Sequence, residues 1–194
     1  MQSFVRAVAE EGRRILQALG FEIKIFDPVS LPFPDAVPDS HPKVQKLREL
    51  ALWSEGMVWS SLERHGAMTG ILKAQIDWIP LSAIGGKQLT QGKTLALMQV
   101  SGESHSLNAV NKMGILGHWM RMITILNQSP LPKAWLEFES GQMKQSSFYN
   151  RIVYAMEELA HFPVITLGHK AMLADGYSER VESAEELHKR VSLR

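Results

Sequence analysis

The chain has no cysteine. Disulfides, zinc–thiolate centres and cysteine nucleophiles are therefore excluded within it. No uninterrupted apolar run approaches the roughly 20 residues needed to span a bilayer. The first residues, Met1-Gln2-Ser3-Phe4-Val5-Arg6, lack the apolar stretch of a signal peptide. An excess of one charge is missing too: 21 Lys+Arg against 20 Asp+Glu leave a formal net charge of +1, which argues against a general nucleic-acid surface. The 7 histidines are scattered and no pair has His-Glu-x-x-His spacing, so no metal site is expected. What remains is the expectation of a soluble cytoplasmic protein, its 194 residues enough for a single domain with a buried core.

Against that background the apolar periodicity alternates between helix and strand. Phe4, Val5, Val8, Gly12, Ile15, Leu16 and Leu19 fall at helical spacing, with Gly20 as a stop. Phe21 to Phe26 alternates as a strand does and is closed by Asp27-Pro28. Residues 27 to 43 carry Pro28, Pro32, Pro34, Pro38 and Pro42 without periodicity, as a long surface loop would. Val44, Leu47, Leu50 and Ala51 mark the next helix, Met57-Val58-Trp59 a short buried strand, and Ile71, Leu72, Gln75, Ile76 and Ile79 a third helix. Leu95 to Val100 is apolar apart from Gln99, as a buried parallel strand tends to be. A helix over 107–120, a strand over Met122–Leu126, an extra strand or loop over Ala134–Phe138 and a helix through Tyr149, Ile152, Val153, Met156 and Leu159 follow. Ser183-Ala184-Glu185-Glu186 has capping-box spacing. Such alternation predicts an α/β fold, a doubly wound parallel sheet.

The polar residues of interest lie where strands give way to helices. Glu63-Arg64-His65-Gly66 follows the Met57 strand, and Ser101-Gly102-Glu103-Ser104-His105-Ser106 follows the Leu95 strand. In open α/β sheets, ligands bind beyond the carboxyl ends of the strands, where loop N–H groups and helix N-termini converge. The second turn also sits where a hydrolase nucleophile elbow would. The Gly-x-Ser-x-Gly pattern fails there, because Ser106 stands in place of the second glycine. Trp119 reads most simply as a core anchor, and Met113, Met120 and Met122 as packing residues.

Arg64-His65-Gly66-Ala67-Met68-Thr69-Gly70 followed by Lys73-Ala74-Gln75-Ile76-Asp77-Trp78 resembles the flavin loop of the ArsH-type arsenical-resistance flavoproteins, within the NADPH-dependent FMN reductase family. Gln91-Gly92-Lys93-Thr94, Met98-Gln99-Val100-Ser101-Gly102, Trp119-Met120-Arg121-Met122-Ile123-Thr124 and Tyr177-Ser178-Glu179-Arg180 are similar to that family as well. The resemblance implies a flavodoxin-like oxidoreductase domain over residues 1–194, with FMN and NADPH as cofactors. It implies hydride transfer from NADPH to FMN and onward to oxygen, a quinone or azo compound, or an organoarsenical, in a cytoplasmic homotetramer with Trp119 and Arg121 near subunit contacts. Glu63, Arg64, His65 and Gly66 would edge the isoalloxazine ring, Ser101 and Gly102 would form the second flavin loop, and Ser3 would belong to the phosphate turn. No side chain is assigned a catalytic role. Because the chain has no thiol, any arsenic chemistry would have to run through the cofactor.

Three departures from the family pattern stand out. Leu62 replaces a proline before the glutamate, and Glu103 and His105 replace a glycine and a glutamine. At the start, only Ser3, Phe4 and Arg6 match the end of the phosphate motif; Val5 replaces a serine, and the first strand and the opening of the phosphate loop are not found. An alternative expectation is therefore a truncated or degenerate scaffold that oligomerises without binding flavin.

Overall fold

The computed structural model describes residues 3–82, 84, 88–102, 106–169, 172–173 and 182–192. Its sheet is built from β1 (Gly56–Arg64), β2 (Ala67–Met68), β3 (Thr94–Val100) and β4 (Ile123–Leu131), in the order β2-β1-β3-β4. β1, β3 and β4 run parallel, with Leu62 opposite Val100 and Val100 opposite Leu131, so their carboxyl ends finish on one edge. β2 is antiparallel to the end of β1.

β3 explains how the sheet carries a core on each face. All of its residues are buried, and its side chains alternate between two cores. Leu95 and Leu97 join Val44 and Leu47 of α2 (Pro42–Trp53), Leu72 and Ile76 of α3 (Gly70–Asp77), and Val110 and Met113 of α4 (Asn108–Trp119). Ala96, Met98 and Val100 face the other way, onto Val8 and Leu16 of α1 (Phe4–Ala18) and Ile152 and Met156 of α5 (Ser147–Thr166). A strand buried on both faces needs no polar alternation, which is why its sequence reads as one apolar run.

The predicted helices and the parallel strands are present, with β1 and β4 longer than their apolar runs suggest. Four expectations are corrected. The Phe21–Phe26 stretch belongs to no strand. Its alternation comes from reaching both cores, Phe21 and Ile23 packing on one and Phe26 on the other, and such packing needs no backbone ladder. Residues 134–143 are neither one strand nor loop but a 3-10 turn (Ala134–Leu136) followed by a small hairpin of β5 (Phe138–Glu139) and β6 (Gln142–Met143). Ile71 is 61% exposed, because α3 turns Leu72 and Ile76 inward instead. Trp119 is 72% exposed and is no core anchor. The Tyr177–Arg180 motif lies outside the described residues.

The long proline-containing loop is tied down by side chains. Trp78 donates its indole N–H to the Pro32 carbonyl (2.7 Å), and Arg48 bonds both the Trp78 carbonyl (2.9 Å) and Asp39 (2.9 Å). The predicted capping box forms: Ser183 N–H donates to Glu186 (2.8 Å) and Glu186 N–H donates back to Ser183 Oγ (3.3 Å), opening the helix Ala184–Ser192. β4 carries an irregularity, since its register with β3 jumps from Leu95↔Thr124 to Leu97↔Gln128. The N–H groups of Leu126 and Asn127, displaced from the ladder, donate instead to the Glu158 carboxylate on α5 (3.0 and 2.9 Å).

Candidate active site at the carboxyl edge of the sheet

The residues after β1 form a turn of one defined kind. His65 and Gly66 both have positive φ (51° and 68°), between the antiparallel pairs Arg64↔Ala67 and Glu63↔Met68. Two central residues with φ > 0 define the type I′ hairpin, whose twist matches that of its strands. The expected polar loop is therefore a hairpin, with Glu63 and Arg64 still inside β1. Glu63 is half-buried, and Arg64 and His65 are exposed. Thr69 then caps α3 by accepting from Leu72 N–H, while buried Ser61 accepts from Thr69 N–H (3.0 Å) and locks the returning chain against β1.

The segment after β3 is fastened on its other side. Buried Ser101 continues the ladder by donating its N–H to the Leu131 carbonyl (3.0 Å), and the Gly102 carbonyl accepts from Lys133 N–H (2.9 Å). A Cβ built on Gly102 or on Gly70 would meet no atom within 4 Å, so the backbone at both positions borders open space that a ligand can approach. Glu103, Ser104 and His105, which carry the departures of this turn from the family pattern and the hydrolase alternative, lie outside the described residues.

The third contribution is the start of α1. Ser3 is its N-cap, accepting from Arg6 N–H (3.4 Å). Ser60 Oγ of β1 lies 3.5 Å from the Val5 carbonyl, and the Phe4 and Phe138 rings pack at 5.8 Å, so this helix start lies against β1 and the chain beyond β4. Arg6 pairs with Asp27 (3.1 Å), whose carboxyl is held below the ordinary aspartate range by the Val29 N–H first and by Arg6 second. The N-termini of α1, α3 and α4 thus open toward one edge of the sheet, a field that favours an anion.

In the sequence, Gln99 is a lone polar exception in an apolar strand. It is fully buried and bonds the Glu63 carboxylate, the Ser106 carbonyl and the Val110 N–H. The signal was present, since a buried amide must find partners. Which partners it finds follows only from the register of β1 on β3. The turn also touches α4: a Cβ on Gly66 would sit 3.5 Å from Asn108 Nδ2.

The helices on both faces and the parallel strand order define a doubly wound α/β protein of flavodoxin-like fold. Solved structures agree: an apo NADH:FMN oxidoreductase (EmoB) superposes with a TM-score of 0.67 at 17% identity, covering 84% of this chain and 83% of that one. The flavoenzyme NAD(P)H:(acceptor) oxidoreductase FerB of Paracoccus denitrificans superposes with a TM-score of 0.61 at 14% identity, over 80% of this chain and 89% of that one. Residues 1–136 match the family described as NADPH-dependent FMN reductase. The chain is 63% identical over 193 residues to the NADPH-dependent FMN reductase ArsH of Rhizobium meliloti (strain 1021), covering 99% of this chain and 80% of that protein. It is 57% identical over 192 residues to the protein of the same name from Acidithiobacillus ferrooxidans, covering 98% and 81%. The chain belongs to the NADPH-dependent FMN reductase family, an oxidoreductase family with FMN and NADPH as its cofactors.

Proposed function

We propose that residues 1–194 form a flavin reductase domain of the ArsH kind, passing electrons from NADPH through FMN to oxygen, a quinone or azo compound, or an organoarsenical. The observation that carries this reading is the shared edge: the Glu63–Gly66 hairpin, the Ser101–Gly102 backbone and the Ser3 cap of α1 all open toward the carboxyl ends of β1 and β3. The residues present fit a flavin. Gly102 and Gly70 leave their backbone uncovered, the His65–Gly66 turn offers backbone polar groups to a planar ring edge, and Ser3 with the first turn of α1 offers a hydroxyl and a dipole to a phosphate. Bound FMN would supply the redox chemistry, accepting hydride from NADPH and yielding electrons to the acceptor. The protein's part is to orient the ring through the hairpin, hold the phosphate at α1 and keep the Glu63 carboxylate fixed through Gln99.

The reading extends to a homotetramer in the cytoplasm, where NADPH is supplied. Exposed Ile115 and Trp119 on α4 and Tyr154 on α5 support the assembly, as large apolar side chains suited to subunit contacts. One observation favours the flavin-free scaffold as a second reading: Ser3 caps its own helix and Arg6 is tied to Asp27, so both have internal partners. An absorbance spectrum of the purified protein after incubation with FMN, followed by NADPH oxidation with each acceptor class, separates the two. Flavin bands that survive gel filtration and acceptor-dependent NADPH consumption support the enzyme. Their absence leaves the scaffold.

A further inference from the structure

Gln99 is fully buried in a strand whose other side chains are nearly all apolar, and both its amide N–H groups and its carbonyl oxygen are bonded. Nε2 donates to Glu63 Oε2 (2.7 Å) and to the Ser106 carbonyl (2.7 Å), and Oε1 accepts from Val110 N–H (3.0 Å). The amide can sit only this way round. Reversed, its oxygen would face a carboxylate and a carbonyl, while its NH2 would face a donor. The third bond replaces a missing cap. Leu107 at the N-cap of α4 makes no side-chain bond, and Val110 is the third residue of that helix, where an ordinary cap would bond. One side chain therefore fixes three points: the end of β1 that carries the hairpin, Ser106 before α4, and the first turn of α4.

We infer that Gln99 is a positioning residue that sets the spacing between the Glu63–Gly66 hairpin and Ser106 before α4, and so how the hairpin is presented to the flavin ring. The inference rests on the flavin reading of the hairpin. Gln99 itself is fully buried and acts through the segments it joins.

Two arms of one experiment test this. The first measures FMN dissociation constants for the intact protein, Gln99→Glu, Glu63→Gln and the double variant. Gln99→Glu sets a second carboxylate against that of Glu63, so it should weaken FMN binding by about tenfold or more. In the Glu63→Gln background the new amide at position 63 can donate to the new carboxylate at position 99, so the same change should cost no more than about threefold; such non-additivity marks direct coupling. The second arm is free of flavin: amide hydrogen exchange of Gln99→Met should rise together in 63–68 and at the start of α4, with α5 unchanged. Unaltered FMN affinity in Gln99→Glu, additive losses in the double variant, or exchange rising equally in α5 would overturn the inference. If the intact protein binds no FMN, the flavin reading falls, and the exchange arm decides alone whether Gln99 joins the hairpin to the start of α4.

Discussion

At the scale of single residues, the site depends on backbone conformations that few side chains accept. Gly66 has φ of 68° with ordinary space around it, so what excludes other residues is conformation and not crowding. Placing a side chain in the left-handed region costs about 1–2 kcal/mol, more for a β-branched one. Gly66→Val is therefore expected to loosen the hairpin and weaken FMN binding about tenfold, which a fluorescence titration of FMN would show. Lys93 offers a pH-dependent counterpart. Its ammonium donates to the Ala51 and Leu52 carbonyls at the end of α2, and burial pushes it down to about 8. Between about pH 8 and its ordinary value of 10.5 the unfolded chain holds this proton and the folded one has released it, so Lys93 makes stability rise with pH across that window. Urea midpoints followed across that window should climb less steeply in Lys93→Met than in the parent protein. An equal slope would show that Lys93 keeps an ordinary affinity for its proton. The glycine of the turn was legible in the sequence, because Gly is what such turns demand. The anomaly of Lys93 was not, because it depends on which helix end the side chain reaches.

At the scale of elements, close approach decides more than propensity. Gly117 of α4 lies so near the sheet that a Cβ would sit 2.5 Å from Leu95 Cδ2 and 3.0 Å from Thr124 Oγ1. Gly117→Ala gains about 1 kcal/mol of helix propensity but must displace fully buried Leu95, at about 1–3 kcal/mol of overpacking. A net loss of thermal stability is expected, and a higher melting temperature would refute the tight contact. The helices were readable from their spacing because their faces meet a core at every turn. Phe21–Phe26 misled because period-two burial and strand pairing have the same signature in sequence. The hairpin between β1 and α3 was hidden for a related reason: Glu63 and Arg64 are polar, and polarity after an apolar run reads as loop even when the ladder continues.

For the whole molecule, binding and folding are linked. A ligand held only by the folded chain stabilises it by about 2.7 kcal/mol at a hundredfold excess over its dissociation constant. FMN should therefore raise the melting temperature more than riboflavin, which lacks the phosphate proposed to sit at Ser3 and α1. Equal shifts would place the phosphate elsewhere. If the proposed assembly forms, Trp119→Glu should lower its sedimentation coefficient while leaving the monomer folded, because Trp119 joins neither hydrophobic core among the described residues. The displaced stretch of β4 bears on how molecules meet in a crowded solution. An unprotected outer strand offers its amides to any passing strand, the usual seed of aggregation. Here the amides of Leu126 and Asn127 are already committed to Glu158, and the register jump breaks the straight edge that a stranger would need to zip onto. Glu158 is thus a guard on the open side of the sheet, and a chain without it would be expected to lose solubility before it lost its fold.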